Sequence, residues 1–178
     1  MGRAEGAAHG LGGGRRLSKN QRRIATVLGR IPAAREQLIA AMEDVSPAFE
    51  PDALIAAAES DDPRERNKVA VIEREVDVLI SWLEELAARA LDEGARVEAV
   101  QRAEGRPWER LSALGVISAA TSARLREVKD TRNDLDHAYP PQSWRLVHVA
   151  ASVVLDELDD YLARFRDWTV QSGILPAG

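Results

Sequence analysis

Arg132, His137 and Tyr139 are the side chains in this sequence best suited to chemistry. They lie in one short segment, Thr131-Arg132-Asn133-Asp134-Leu135-Asp136-His137-Ala138-Tyr139-Pro140. An arginine stays charged and holds a phosphate through a planar fork of donors. A histidine titrates near neutrality and moves protons in either direction. A tyrosine adds a hydroxyl and a ring on which a base can stack. Such a set is sufficient for metal-free cleavage of RNA, in which a ribose 2′-hydroxyl attacks the adjacent phosphate.

Each of the three also has a plainer reading. Arg132 falls three residues before Leu135 and four after Val128, so it sits on an apolar stripe. A charge there is costly unless it is paired or faces a cleft. Asp136, at i,i+4, is the ready partner. His137 is five residues after Arg132, which on an ideal helix turns it by roughly 140°. The two converge if the helix frays before Pro140, or if a second subunit supplies one of them. Otherwise His137 is a capping or packing residue, and Tyr139 a half-buried one. Asp134, Asp136 and His137 match no standard spacing for a divalent cation. Arg106 to Arg110 and Arg124 to Arg126 are either backbone contacts for RNA or a solvated helix face. His9 and His148 read as incidental.

The elements that must position these residues follow from spacing. Ile24, Val27, Ile31, Ala34, Leu38, Ala41 and Val45 recur in steps of three and four, as do Val69, Ile72, Val76, Leu79, Leu83, Leu86 and Ala90. That rhythm is one face of a helix. Pro32 should kink or split the first of these, and Ser46-Pro47 should stop it. Pro51 opens a short helix over 51–60. Asp62 caps the second long helix, with Pro63 at its first position, and Gly94 closes it. A short helix over 107–114 ends at Gly115. Ser118 then caps a helix carrying Leu125, Val128 and Leu135, which Pro140-Pro141 terminates. The last stripe runs from Trp144 through Val147, Ala151, Val154, Leu158, Tyr161 and Phe165 to Trp168. No segment alternates as a strand does. The expected fold is all-α: an up-and-down bundle of four to five helices over residues 17–170. Residues 1–16 read as a flexible tail and 171–178 as a short C-terminal tail.

Composition bounds the function. The chain has 178 residues, 45% of them hydrophobic and 30% charged, which favours one soluble domain. It contains no cysteine, which removes disulfides and thiol chemistry. Met1 to Gly14 lacks the apolar run of a signal peptide, and no stretch is long and apolar enough to span a bilayer, so a cytoplasmic location is expected. Gly10 to Gly14 lacks the strand and the Lys-Ser/Thr ending of a phosphate loop. Net charge is −5 and the pI about 5.3. A dedicated nucleic-acid binder is usually basic, whereas a nuclease touching a short stretch of RNA needs only a local basic patch.

Arg132-Asn133, His137 and Tyr139 together resemble the R-x4-H-x-Y signature of the HEPN superfamily, in the form seen in HepT toxins. The Leu114-Gly115-Val116-Ile117 turn upstream and the long helix after the motif are similar too. The resemblance covers roughly residues 66–170. It implies a homodimer with both motifs facing one cleft, and a metal-independent endoribonuclease without a cofactor, acting as a toxin. Arg132 and His137 would be catalytic, with Asn133 and Tyr139 binding or supporting the RNA. Asp77, on the helix with Ile72, Glu73 and Val76, would be the acidic residue facing the site. It also implies a nucleotidyltransferase antitoxin of the MntA type, which attaches AMP to the motif tyrosine, here Tyr139. The added phosphates would set negative charge beside Arg132 and block the site. Asp136 stands where the family usually has an apolar residue, and a carboxylate there raises the histidine's pKa or occupies Arg132. A non-catalytic HEPN module that binds a nucleotidyltransferase, or a plain helical interaction protein, are the other readings.

Overall fold

A computed structural model of the chain describes residues 16–96, 98–135 and 143–176. These residues form seven helices and no strand: α1 (Lys19–Val45), α2 (Pro51–Ala58), α3 (Pro63–Glu93), α4 (Glu98–Arg102), α5 (Pro107–Ala113), α6 (Ala119–Leu135) and α7 (Ser143–Gln171). The all-α expectation holds. The count exceeds four to five because three short helices sit in the connections between the four long ones.

Helix α1 starts where Ser18 accepts from the Gln21 amide (3.0 Å) and Gln21 Oε1 accepts from the Ser18 amide (2.8 Å), satisfying two orphan donors reciprocally. Pro32 does not split it: α1 runs unbroken for 27 residues. Ile24, Val27, Ile31, Ala34 and Leu38 are buried on one face, while Pro32 is on the exposed face. The carbonyl that Pro32 leaves without a helical donor is therefore near water, and burial on the far side outweighs its loss. Helix α3 begins as the sequence reads, with the Asp62 carboxylate accepting from the Arg64 amide at 2.8 Å and Pro63 at the first position. In α6, Ser118 Oγ accepts from the Thr121 amide at 2.9 Å. Gly115, at φ 72°, makes the left-handed turn between α5 and α6 that a side chain would strain.

Cross-helix contacts fix the directions. Ser18 reaches Glu93, Arg23 reaches Glu85 and Lys68 reaches the Asp44 carbonyl, so α1 and α3 are antiparallel. Gln21 donates to the Ile174 carbonyl and Arg35 to Asp159, so α1 also opposes α7. Arg124 meets Glu157 and Asp156, while Thr131 lines a groove with Leu146, so α6 opposes α7. The long helices thus run up, down, up, down. Their stripes meet in one core that includes Leu38, Ile72, Leu79, Leu83, Leu125, Leu158, Tyr161 and Phe165. The core extends past residue 170: Ile174, in the segment read as a tail, is buried against the end of α3 near Gly94. None of the helices described is long and apolar enough to cross a membrane.

One ion-pair network ties α1 to α3. Glu85 accepts from Nε and Nη2 of Arg23 (2.9 and 2.8 Å) and from Nε of Arg89 (2.6 Å). The Arg23 bond, joined by Arg89 against partial burial, lowers the carboxyl pKa from its usual range to about 2. A depressed carboxyl contributes stability that is present above its unfolded value and lost as pH falls towards the folded one. Glu85→Gln is therefore expected to reduce stability at pH 7 while flattening its decline between about pH 4.5 and 2. Urea melts of the two proteins across that window check this.

Candidate functional site

Helix α6 carries the first half of the motif. Leu125 and Val128 bury its inner face. Its last turn holds Arg132 and Asn133. His137 and Tyr139 lie outside the described residues, as do Asp136 and the Pro140-Pro141 stop, and the next described residue is Ser143 at the start of α7.

The cations earlier on α6 are occupied. Arg124 pairs with Glu157 and Asp156 of α7, Arg126 with Glu109 of α5 at 2.7 Å, and Lys129 with Glu84 of α3. Arg106 pairs with Asp130 at 3.2 Å, and Arg110 donates to the Val100 carbonyl at 3.2 Å. The sequence leaves Arg106 to Arg110 and Arg124 to Arg126 open as phosphate contacts or a solvated face. Arg106, Arg124 and Arg126 stay largely solvated while pairing α6 with its neighbours, and Arg110 ties α5 to α4; a helical wheel cannot show this because the partners lie on other helices.

Asp77 is half-buried midway along α3 (Pro63–Glu93). It precedes Glu84 by two turns on one helix face, about 10 Å along the axis. Arg132 follows Lys129 by three residues on the antiparallel α6, about 4.5 Å in the same direction. Counted from the Lys129–Glu84 pair, the Asp77 and Arg132 positions therefore differ by about 6 Å along the bundle, roughly one helical turn.

Between the later part of α6 and the start of α7 lies a shallow groove lined by Val128, Thr131, Leu146, Val149, Ala150 and Val153 together with the charged Arg124 and Glu127. Leu146 and Val149 are 43% and 54% exposed, an unusual placement for two large aliphatic side chains one turn apart.

Two residues that the sequence reading passed over prove structural. His148, read as incidental, stacks on Phe49 with ring centroids 4.6 Å apart and bonds the Phe49 carbonyl at 2.6 Å. Glu75 is 3% exposed, with Oε1 accepting from Arg74 Nε at 2.9 Å. Its place one residue before Val76, in the middle of the α3 stripe, was the available signal. Among the described residues no group of histidine and carboxylate side chains is arranged to hold a metal ion.

Compared with protein-family models, curated proteins and solved structures, the chain matches none.

Proposed function

We propose that this chain is a HEPN-type, metal-independent endoribonuclease toxin of the HepT kind, acting in the cytoplasm as a homodimer. The observation that carries the reading is the Arg132-Asn133, His137, Tyr139 series at the junction between α6 and α7 of an up-and-down bundle. Arg132 holds the scissile phosphate, His137 moves the proton, and Tyr139 and Asn133 support the RNA. Asp77, half-buried on α3, serves to orient a cationic or proton-bearing partner. The groove with exposed Leu146 and Val149 supports a homodimer, since a second copy on that face would bring two motifs to one cleft. A nucleotidyltransferase partner would silence the site by attaching AMP to Tyr139, crowding Arg132 with negative charge.

The net charge of −5 and the ion-paired arginines of α5 and α6 favour a second reading, a non-catalytic module whose partner is the nucleotidyltransferase itself. Induced expression of the chain alone in a bacterial host separates the two. Growth arrest by the wild type, abolished in a folded His137→Ala, is the expected result. A soluble wild type that leaves growth unaffected sinks the toxin and leaves the partner-binding module.

A further inference from the structure

We propose that α2 is a hinged strap, latched to α7 by the Phe49–His148 contact, which opens as a unit while the bundle of long helices stays folded. The strap stands apart from the ribonuclease reading and involves described residues alone.

Helix α2 is poorly equipped to hold itself. It has eight residues, well short of the roughly 12–15 at which an isolated helix becomes even marginal in water. Its N-cap residue, Glu50, gives the first turn no side-chain bond, and along its length only Leu54 and Ala57 are buried. It packs on α3 and α7 and touches α1, which precedes it in the chain, only lightly. Its place therefore rests on contacts with other helices, and two side-chain ties secure its start. The Phe49 carbonyl accepts from His148 Nε2 at 2.6 Å, and the two rings lie nearly parallel, 13° between planes and 4.6 Å between centroids. One turn earlier on α7, Arg145 pairs with Asp52 at 2.9 Å; both side chains are mostly in water, so this tie is the weaker.

The turn that carries the latch is strained. Phe49 sits at φ 45°, in the left-handed region that bulky side chains rarely adopt. Its N–H donates to the Ser46 carbonyl at 2.9 Å, and Ser46 Oγ accepts from the Glu50 amide at 3.0 Å. Strain of this kind persists only where the surroundings over-determine it. Phe49 relaxes once its carbonyl and ring leave α7, so the turn is a sprung hinge whose closed form depends on His148. Opening bares Leu54, Ala57 and the flank of α7 that carries Arg145, His148 and, one turn on, the fully buried Ala151. The far end of the bundle is untouched. Ile24, fully buried, lies about 30 Å along α1 from Val45, where that helix gives way to the hinge, and its contacts survive the opening.

Amide hydrogen exchange of the full chain, under conditions where reclosing outpaces exchange, tests this in the wild type, Ile24→Val, His148→Ala and His148→Gln. In the wild type the amides of residues 54–59 should exchange together, roughly 100-fold or more faster than those of Leu79 and Leu83 in α3. Ile24→Val weakens only contacts that the open form keeps. It should quicken the α3 amides about fivefold and leave those of α2 unchanged. His148→Ala weakens only the closed form, from which both local opening and global unfolding start, so α2 and α3 amides should quicken together by about tenfold. His148→Gln, which returns an N–H donor without the ring, should recover part of that. Amides of α2 that exchange as slowly as those of α3, or that quicken with them in Ile24→Val, overturn the strap. Amides of α2 unchanged in His148→Ala overturn the latch. Should His148→Ala fail to fold, the wild type and Ile24→Val still decide the strap, and unchanged α2 exchange in His148→Gln overturns the part of the latch that the rings supply.

Discussion

On the ribonuclease reading proposed above, Arg132→Ala is expected to lower the single-turnover rate of RNA cleavage by roughly 10²–10³-fold, the loss associated with one preorganised donor to a developing oxyanion. The reason is partly local and partly a matter of what surrounds it. A guanidinium grips a phosphate through two parallel bonds, so Arg132→Lys should recover charge without the fork and only part of the rate. Among the described residues, the cations nearest to it on α6 are already engaged. Arg124, Arg126 and Lys129 are each engaged by carboxylates of α7, α5 and α3. Freeing one of them would break a contact that holds α6 in register. Lys129→Ala is the matching control: it should cost stability of about 1 kcal/mol or less, as partly exposed pairs do, and leave the chemical step nearly intact. Rapid-quench cleavage of a labelled RNA, with circular dichroism to confirm folding, reads both variants. A near-wild-type rate in Arg132→Ala would move the phosphate grip elsewhere and with it the identity of the site.

How far these residues were legible depends on where their partners lie. The long helices could be read because burial repeats along a single element: most residues that spacing selects in α1, α3 and α7 are buried, although Val45, Trp144 and Trp168 are only half-buried and Ile80, Ala87, Leu91, Ala150 and Leu162 are buried beside the stripes. Asp62, Pro63 and Ser118 could be read because a cap acts within three residues of itself. Helix α4 escaped because five residues are too few to show a period. The split considered at Pro32 did not occur because its cost depends on whether it faces core or water, which a sequence does not state. The site was legible only as a set of residue types. His148 looked incidental since its partner, Phe49, is 99 positions away, and the arginines of α5 and α6 looked available since their carboxylates belong to other helices.

Tyr161→Ala should be among the most destabilising single changes in the chain, by about 3–5 kcal/mol, and Tyr161→Phe should cost only about 1 kcal/mol. Tyr161 is fully buried at the level of Leu83, stacked against Phe165 with centroids 5.9 Å apart. Removing the ring leaves a cavity between α3 and α7 that rigid helices cannot close. The hydroxyl contributes less. It donates to the Leu83 carbonyl at 2.9 Å, and that carbonyl, inside α3, keeps its helical donor when the hydroxyl is gone. Set against the total of about 5–15 kcal/mol usual for a domain, the alanine variant has little left. The phenol also leaves a signature in pH. Burial pushes its pKa well above the usual 10, with the Trp108 indole opposing the shift slightly. A group whose folded pKa is raised contributes stability that is whole below the unfolded value and is lost as pH climbs past it. Wild-type stability should therefore decline above about pH 10, and that part of the decline should vanish in Tyr161→Phe. Urea melts at pH 7 and at several values above 10 measure both effects. If Tyr161→Phe were as unstable as Tyr161→Ala, the bond to Leu83, not the ring, would be what joins α3 to α7. An unchanged alkaline decline in Tyr161→Phe would mean that the phenol is reached by water in the folded protein.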